Sequence, residues 1–145
     1  NSDFKEYGLV GENLTIDDFD EGKINIGDQF KINECLLQVS QPRIPCYKIG
    51  IKLNSREFPK MFSQSGLLGS YLRVIHDGEI STGDVIHKVH SEENSMSIKD
   101  IAHLLFVDVK NIELMKQALD IKPLTEEIKE KFRERLMKLG DFSSL

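Results

Sequence analysis

The sequence predicts a mainly β domain, built as a barrel, followed by a small three-helix unit. Three observations carry that prediction. Up to about residue 94, short runs of β-branched and apolar residues are cut at close intervals by Gly, Asp and Asn. Within that region one phrase, Gly-x-Ile-x-x-Gly-Asp-x-apolar, occurs twice, at 22–30 and at 78–86. From Ser95 onward the apolar spacing becomes helical. The boundaries follow as a β domain over 1–94 and a three-helix extension over 95–145, in a chain of 145 residues that can bury a core without disulfides.

Candidate strands are Ile24 to Ile26, Gln29 to Ile32, Cys35 to Ser40, Gly69 to Ile75 and Val85 to Val89. In each copy of the repeated phrase the Gly-Asp pair supplies a turn, because Gly accepts positive φ and Asp bonds its own backbone, and a strand follows. Both are read as a repeated structural corner of the barrel. The first helix starts with Ser97 and Asp100 in capping-box spacing, places Ile98, Ile101, Ala102 and Leu105 on one face and ends near Phe106. The second runs from about Val109 to Leu119. The third follows Pro123, with Thr125 as N-cap and Glu126 and Glu127 in the first turn, and stops at Gly140. Such short amphipathic helices bury their faces against one another or against the β part.

Composition excludes several classes of function. The formal net charge is −5, all of it in residues 1–94, where ten Lys/Arg face fifteen Asp/Glu; the helical part is balanced at nine and nine. An acidic chain argues against a duplex nucleic-acid partner, which needs a basic face to release phosphate counterions. No apolar run approaches a membrane span and the N-terminus lacks signal-peptide character, so a cytoplasmic protein without a membrane partner is expected. The two cysteines, Cys35 and Cys46, come with no CxxC pair or His/Cys cluster, which leaves no ligand set for zinc or iron–sulfur and suggests free thiols. His87 and His90 would point to opposite faces of a strand, a poor arrangement for a metal.

The stretch most suggestive of chemistry is Ser40-Gln41-Pro42-Arg43-Ile44-Pro45-Cys46. Two prolines fix φ and bias Gln41 and Ile44 to extended geometry, so the backbone leading to Cys46 is stiff. Arg43, and Lys48 beyond, put positive charge near a cysteine read as half-buried, which favours the thiolate needed for metal ligation or attack. The plain alternative is a small buried cysteine at a strand end. Cys35, in an apolar alternating run, is read as core. Gly11-Glu12-Asn13-Leu14-Thr15 offers hydrogen-bonding groups beside a glycine, or is simply a turn before a strand. Ser63 to Tyr71 is read as a loop into a strand whose glycines and hydroxyls suit a backbone nest for an anion.

Taken in order, Gly11 to Thr15, Ile26-Gly27-Asp28, Val39 to Lys48, Gly66 to Val74 and Gly78 to Asp84 make the chain resemble the MOSC family, the domain named from molybdenum cofactor sulfurase C-terminal regions. The resemblance covers almost all of residues 7 to 90, and the tail resembles the three-helix extension of the YiiM-like bacterial branch. It implies a β-barrel that binds a molybdopterin-type molybdenum cofactor, with Cys46 matching the cysteine that acts as molybdenum ligand or sulfur acceptor. It also implies an oxidoreductase acting on small-molecule N-hydroxylated substrates such as 6-hydroxylaminopurine, a detoxification role served by an electron-donor protein. An association with pyridoxal phosphate attaches to the family as well. Arg43, Asn13, Glu12, Thr15, Ser40 and Gln41, from the matching motifs, would contact the cofactor or support the ligand. The alternatives are a non-redox carrier holding cofactor or sulfur on Cys46, and a structural module. The helical tail is expected to serve dimerisation or docking of the electron donor. The family's upstream half, including a His- and Gly-rich segment, has no counterpart before Asn1, so the barrel is expected to be incomplete at its N-terminus.

Overall fold

The computed structural model describes residues 7–141. Its elements, in chain order, are β1 (Gln29–Ile32), β2 (Cys35–Pro42), α1 (Tyr47–Lys52), α2 (Phe58–Ser65), β3 (Ser70–His76), β4 (His87–His90), α3 (Ile98–Phe106), α4 (Ile112–Leu119) and α5 (Glu126–Lys138). The strands form one antiparallel sheet in the order β3-β2-β1-β4, so the described strands make an open sheet with β3 and β4 at its edges. The expected sheet followed by three C-terminal helices is present.

The strand-and-turn pattern accounts for the sheet. β1 and β2 are joined through Asn33 and Glu34, with Ile32 opposite Cys35, and Asn33 adopts a left-handed φ of 49°, which Asn tolerates better than most residues. Along β2 the buried residues Cys35, Leu37 and Val39 alternate with half-buried ones. The β2–β3 register then slips between Val39 and Gln41, and Ser40, Gln41 and Pro42 are all buried. A bulge of this kind re-aims the strand beyond it.

The repeated corner has the same geometry twice. Gly27 and Gly83 take φ of 99° and 92°, the amide of Asp28 donates to the Asn25 carbonyl and that of Asp84 to the Ser81 carbonyl, both at 3.1 Å. Each aspartate then turns its carboxylate back on the amide three residues earlier, Asp28 on Asn25 at 2.8 Å and Asp84 on Ser81 at 2.7 Å. The settings differ. Asp28 is fully buried, where it also accepts from the Glu92 amide at 2.8 Å and the Lys88 ammonium at 2.6 Å. Asp84 is exposed and accepts from the Asn33 side chain.

Residues Ile24 to Ile26 do not form a strand. Asn25 makes a single bridge to Ser97, flanked by hydrogen bonds from Ile26 to Met96 and from Ile98 to Ile24, both 2.9 Å. The corner at Gly27 ends the pairing before a ladder can grow. The helices α1 and α2 are also absent from the sequence reading. α1 has only six residues with Gly50 inside it, and α2, although Phe58, Met61 and Phe62 share one face, has only eight, with Pro59 near its start and Ser63, Gln64 and Ser65 at its end, so each is too short for a helical period to stand out. Gly50 is buried, and a Cβ there would lie 2.7 Å from the Ser55 carbonyl oxygen, which is why the short helix tolerates a poor helix former.

The three C-terminal helices are present, with α4 starting at Ile112, later than the expected Val109, because Asn111 caps it. α3 opens with a complete Ser97/Asp100 capping box, and α4 opens with Asn111 accepting from the Leu114 amide. Arg135 of α5 donates to the carbonyls of Leu104 and Leu105, each at 2.9 Å, covering the C-terminal end of α3. The helices and sheet share one continuous core: Ile26, Phe30 and Val39 cluster with Ile98, Leu104, Met115, Ile128 and Phe132.

Candidate functional site

β2 delivers its last residues into a short connection that ends at Cys46, and the residues from Ser40 to Ile44 each have their own anchor. Ser40 donates its hydroxyl to the Tyr71 carbonyl at 2.9 Å. Gln41, only 4 % exposed, accepts the Thr125 hydroxyl on its side-chain oxygen. Pro42 is paired opposite Ser70. Arg43 donates its amide to Gly69 at 2.9 Å, and its guanidinium donates to the Val10 carbonyl. Ile44 packs against the shared core. Cys46 follows in extended geometry as the residue before α1, and its carbonyl accepts from the Ile49 amide at 3.0 Å.

The thiol itself is exposed, in contrast to the half-buried side chain expected. The reason is local. Pro45 lies only half-buried at the surface and α1 begins at once, so its first residues Tyr47 and Lys48 are exposed with Cys46 while Ile49 and Gly50 turn inward. Cys35 is buried in the small cluster with Ile32 and Leu37, as its alternating run suggests.

The Gly8–Glu12 turn is tied to this connection by two cations. Arg43 holds Val10, and Lys52 at the end of α1 donates to the Gly8 carbonyl at 2.8 Å. Gly11 has a φ of 81°, a left-handed conformation that favours glycine, and a Cβ there would meet the Arg43 guanidinium only at an ordinary contact distance of 3.6 Å. Glu12 accepts from the Gly8 amide at 2.5 Å through one carboxylate oxygen, while the other is buried without a hydrogen-bond partner. Burial alone would raise its pKa, but the neighbouring amides of Glu12, Gly8 and Val10 and the Arg43 charge outweigh that and hold the carboxyl below its ordinary value. Asn13 and Thr15 are exposed on the same loop.

Of the residues singled out from sequence, Glu12, Arg43 and Cys46 are therefore linked through one turn and one connection. Ser40 and Gln41 are buried with their polar atoms engaged by Tyr71 and Thr125. Thr125 was expected to cap α5 with its side chain; no cap bond forms, because the hydroxyl is turned to Gln41. The Ser63–Tyr71 region does hold an anion in a backbone nest, but the anion belongs to the protein: Glu21 accepts from the amides of Leu68 at 3.1 Å and Gly69 at 2.8 Å. An open groove lined by Lys31, Asn33, Asp84, His87 and Val89 lies at the other end of the strands. Among the described residues no group of three or more His, Cys, Asp and Glu gathers as for a metal ion, and no helix is long and apolar enough to cross a membrane.

Comparison with known proteins agrees with this layout. Residues 3–87 match the MOSC domain and residues 96–139 the YiiM-like, 3-alpha helix domain. The chain is 32 % identical over 125 residues to the uncharacterized protein YflK of Bacillus subtilis (strain 168), covering 86 % of this chain and 57 % of YflK. It is 31 % identical over 137 residues to protein YiiM of Escherichia coli (strain K12), covering 92 % of this chain and 60 % of YiiM. A protein named reductase from Gibberella moniliformis is 27 % identical over 135 residues, which cover 92 % of this chain and 24 % of that protein. The crystal structure of YiiM from Geobacillus stearothermophilus superposes with a TM-score of 0.86 at 34 % identity, covering 90 % of this chain and 67 % of that one. The chain thus spans about three fifths of the length of YflK and E. coli YiiM.

Proposed function

Because this chain belongs to the MOSC family, a domain associated with the molybdenum cofactor, we propose that it takes part in the reduction of N-hydroxylated bases, with Cys46 as the sulfur that meets molybdenum. The single observation that carries the reading is the exposed thiol on a connection anchored at four successive residues.

The donor set suits such a group. A thiolate is the soft ligand that molybdenum takes from protein, and Arg43, Lys48 and Lys52 supply cationic character for the phosphate of a pterin cofactor. The carboxylate oxygen of Glu12 that is buried without a partner is an acceptor for a pterin N–H. Asn13 and Thr15 offer side-chain hydrogen bonds from the same loop. When bound, the cofactor supplies a two-electron couple, and the protein supplies orientation and shelter. A hydroxylamino group loses its oxygen as water on taking up two electrons and two protons; the electrons come from a donor protein. Ser40 and Gln41 serve as the mount of the ligand in this reading, not as cofactor contacts, and cytoplasmic location suits the small-molecule substrate.

The test is molybdenum quantification on purified wild type and Cys46→Ser. Loss of metal in the variant is expected; equal metal content refutes ligation. The exposure of Cys46 also favours a second reading, in which the thiol carries cofactor or sulfur to another protein. Turnover separates the two: metal-loaded protein should reduce a hydroxylamino base with an artificial donor, whereas a carrier leaves it untouched.

A further inference from the structure

We infer that the helical extension braces Cys46, with Thr125 and Gln41 as positioning residues; this rests on the molybdenum-ligand reading of the thiol. A threonine at a helix N-cap ordinarily accepts from an amide of the first turn. Thr125 stands at the N-cap of α5 and makes no such bond. Its hydroxyl donates instead to Gln41, 84 residues away in the chain, at 2.5 Å. Gln41 is 4 % exposed and Thr125 half-buried, so the acceptor side of that bond is shielded from water.

The connection between α4 and α5 is itself fixed where it meets the sheet. Ile121 and Leu124 are buried in the shared core, and Pro123 crowds the β1 corner so closely that a Cβ on Gly27 would lie 2.6 Å from its ring. Thr125 is therefore a rigid point, not a loose hydroxyl. From Gln41 to the thiol the chain passes through Pro42, Arg43, Ile44 and Pro45. Two prolines stiffen it, and Ile44 leans on the same helical core. A shift at Gln41 is carried to Cys46 because the intervening segment has little freedom to absorb it. Metal–sulfur bonding tolerates only a narrow range of distance and angle, so a loosened mount binds the metal less well.

Hydrogen–deuterium exchange on the protein tests this, with Thr125→Val, Thr125→Ser and Gln41→Met beside wild type. Thr125→Val and Gln41→Met are expected to raise exchange in the 42–50 segment by roughly threefold or more while α3 stays within about twofold. Thr125→Ser restores the wild-type pattern. Molybdenum retained per chain falls in the first two variants and recovers with serine. Unchanged exchange over 42–50, or a rise spread equally over α3, overturns the brace. Its failure is distinct from failure of the ligand reading: selective loosening together with full metal retention in Cys46→Ser supports the brace and removes the ligand.

Discussion

The two copies of the Gly-Asp corner make a matched experiment, because the same turn is built once in the interior and once at the surface. Asp28 is fully buried and accepts from the amides of Asn25 and Glu92, each at 2.8 Å, and from Lys88 at 2.6 Å. In Asp28→Ala both amides lose their acceptor, at about 1–3 kcal/mol each. Lys88 is 35 % exposed and can turn to water, so its share is small. The sum is about 2–6 kcal/mol, whose middle corresponds to roughly 10 °C in Tm for a chain of this size. Asp84 makes the equivalent bond to Ser81 at 2.7 Å but stands in water. Solvent replaces what Asp84→Ala removes, and that variant should lose less than about 1 kcal/mol. Urea unfolding followed by circular dichroism, with unchanged denaturant slope, measures both. Equal losses, or a loss below about 1 kcal/mol for Asp28→Ala, would refute the argument that burial sets the value of this turn.

Two further outcomes follow from contacts described above. Arg135→Met keeps the apolar stem but strips the carbonyls of Leu104 and Leu105 of their donor, and should cost about 1–3 kcal/mol in the same urea assay, since both carbonyls end α3 within the packed helices. Glu12 has its pKa lowered on folding, so its ionised form stabilises the fold at pH values above the ordinary carboxylate range, and that contribution is lost as pH falls through the lowered value. The stability difference between wild type and Glu12→Gln should accordingly be largest near neutrality and shrink below the carboxylate range; a difference that is flat from pH 3 to 7 would contradict it.

How much of this was legible beforehand depends on the range over which each signal acts. The capping box at Ser97 and the repeated corner are local, and their hydrogen bonds run within three residues, so the pattern of residue types sufficed. The stiffness before Cys46 was equally readable from Pro42 and Pro45. α1 and α2 were not, because helices of six and eight residues hold barely two turns, too few for a helical period to stand out. Glu21 filling the nest at Leu68 and Gly69, and Thr125 reaching Gln41, join residues 47, 48 and 84 positions apart, and nothing in either neighbourhood announces the other. The link from Glu12 through Arg43 to the Cys46 connection, the exposure of the thiol and the scaffold behind it therefore emerge only from the fold.

The core that runs from Phe30 and Val39 into Met115 and Phe132 has a consequence for how this protein comes apart. Two sequence modules can be recognised along the chain, yet they are expected to melt as one body, because neither can shed the other without opening the same apolar interior to water. Grafting the helices onto an unrelated barrel, or expressing the sheet without them, would therefore yield a sticky half-protein. Substitutions at facing positions of the two modules are therefore expected to couple in stability, as they do across the two sides of an obligate dimer.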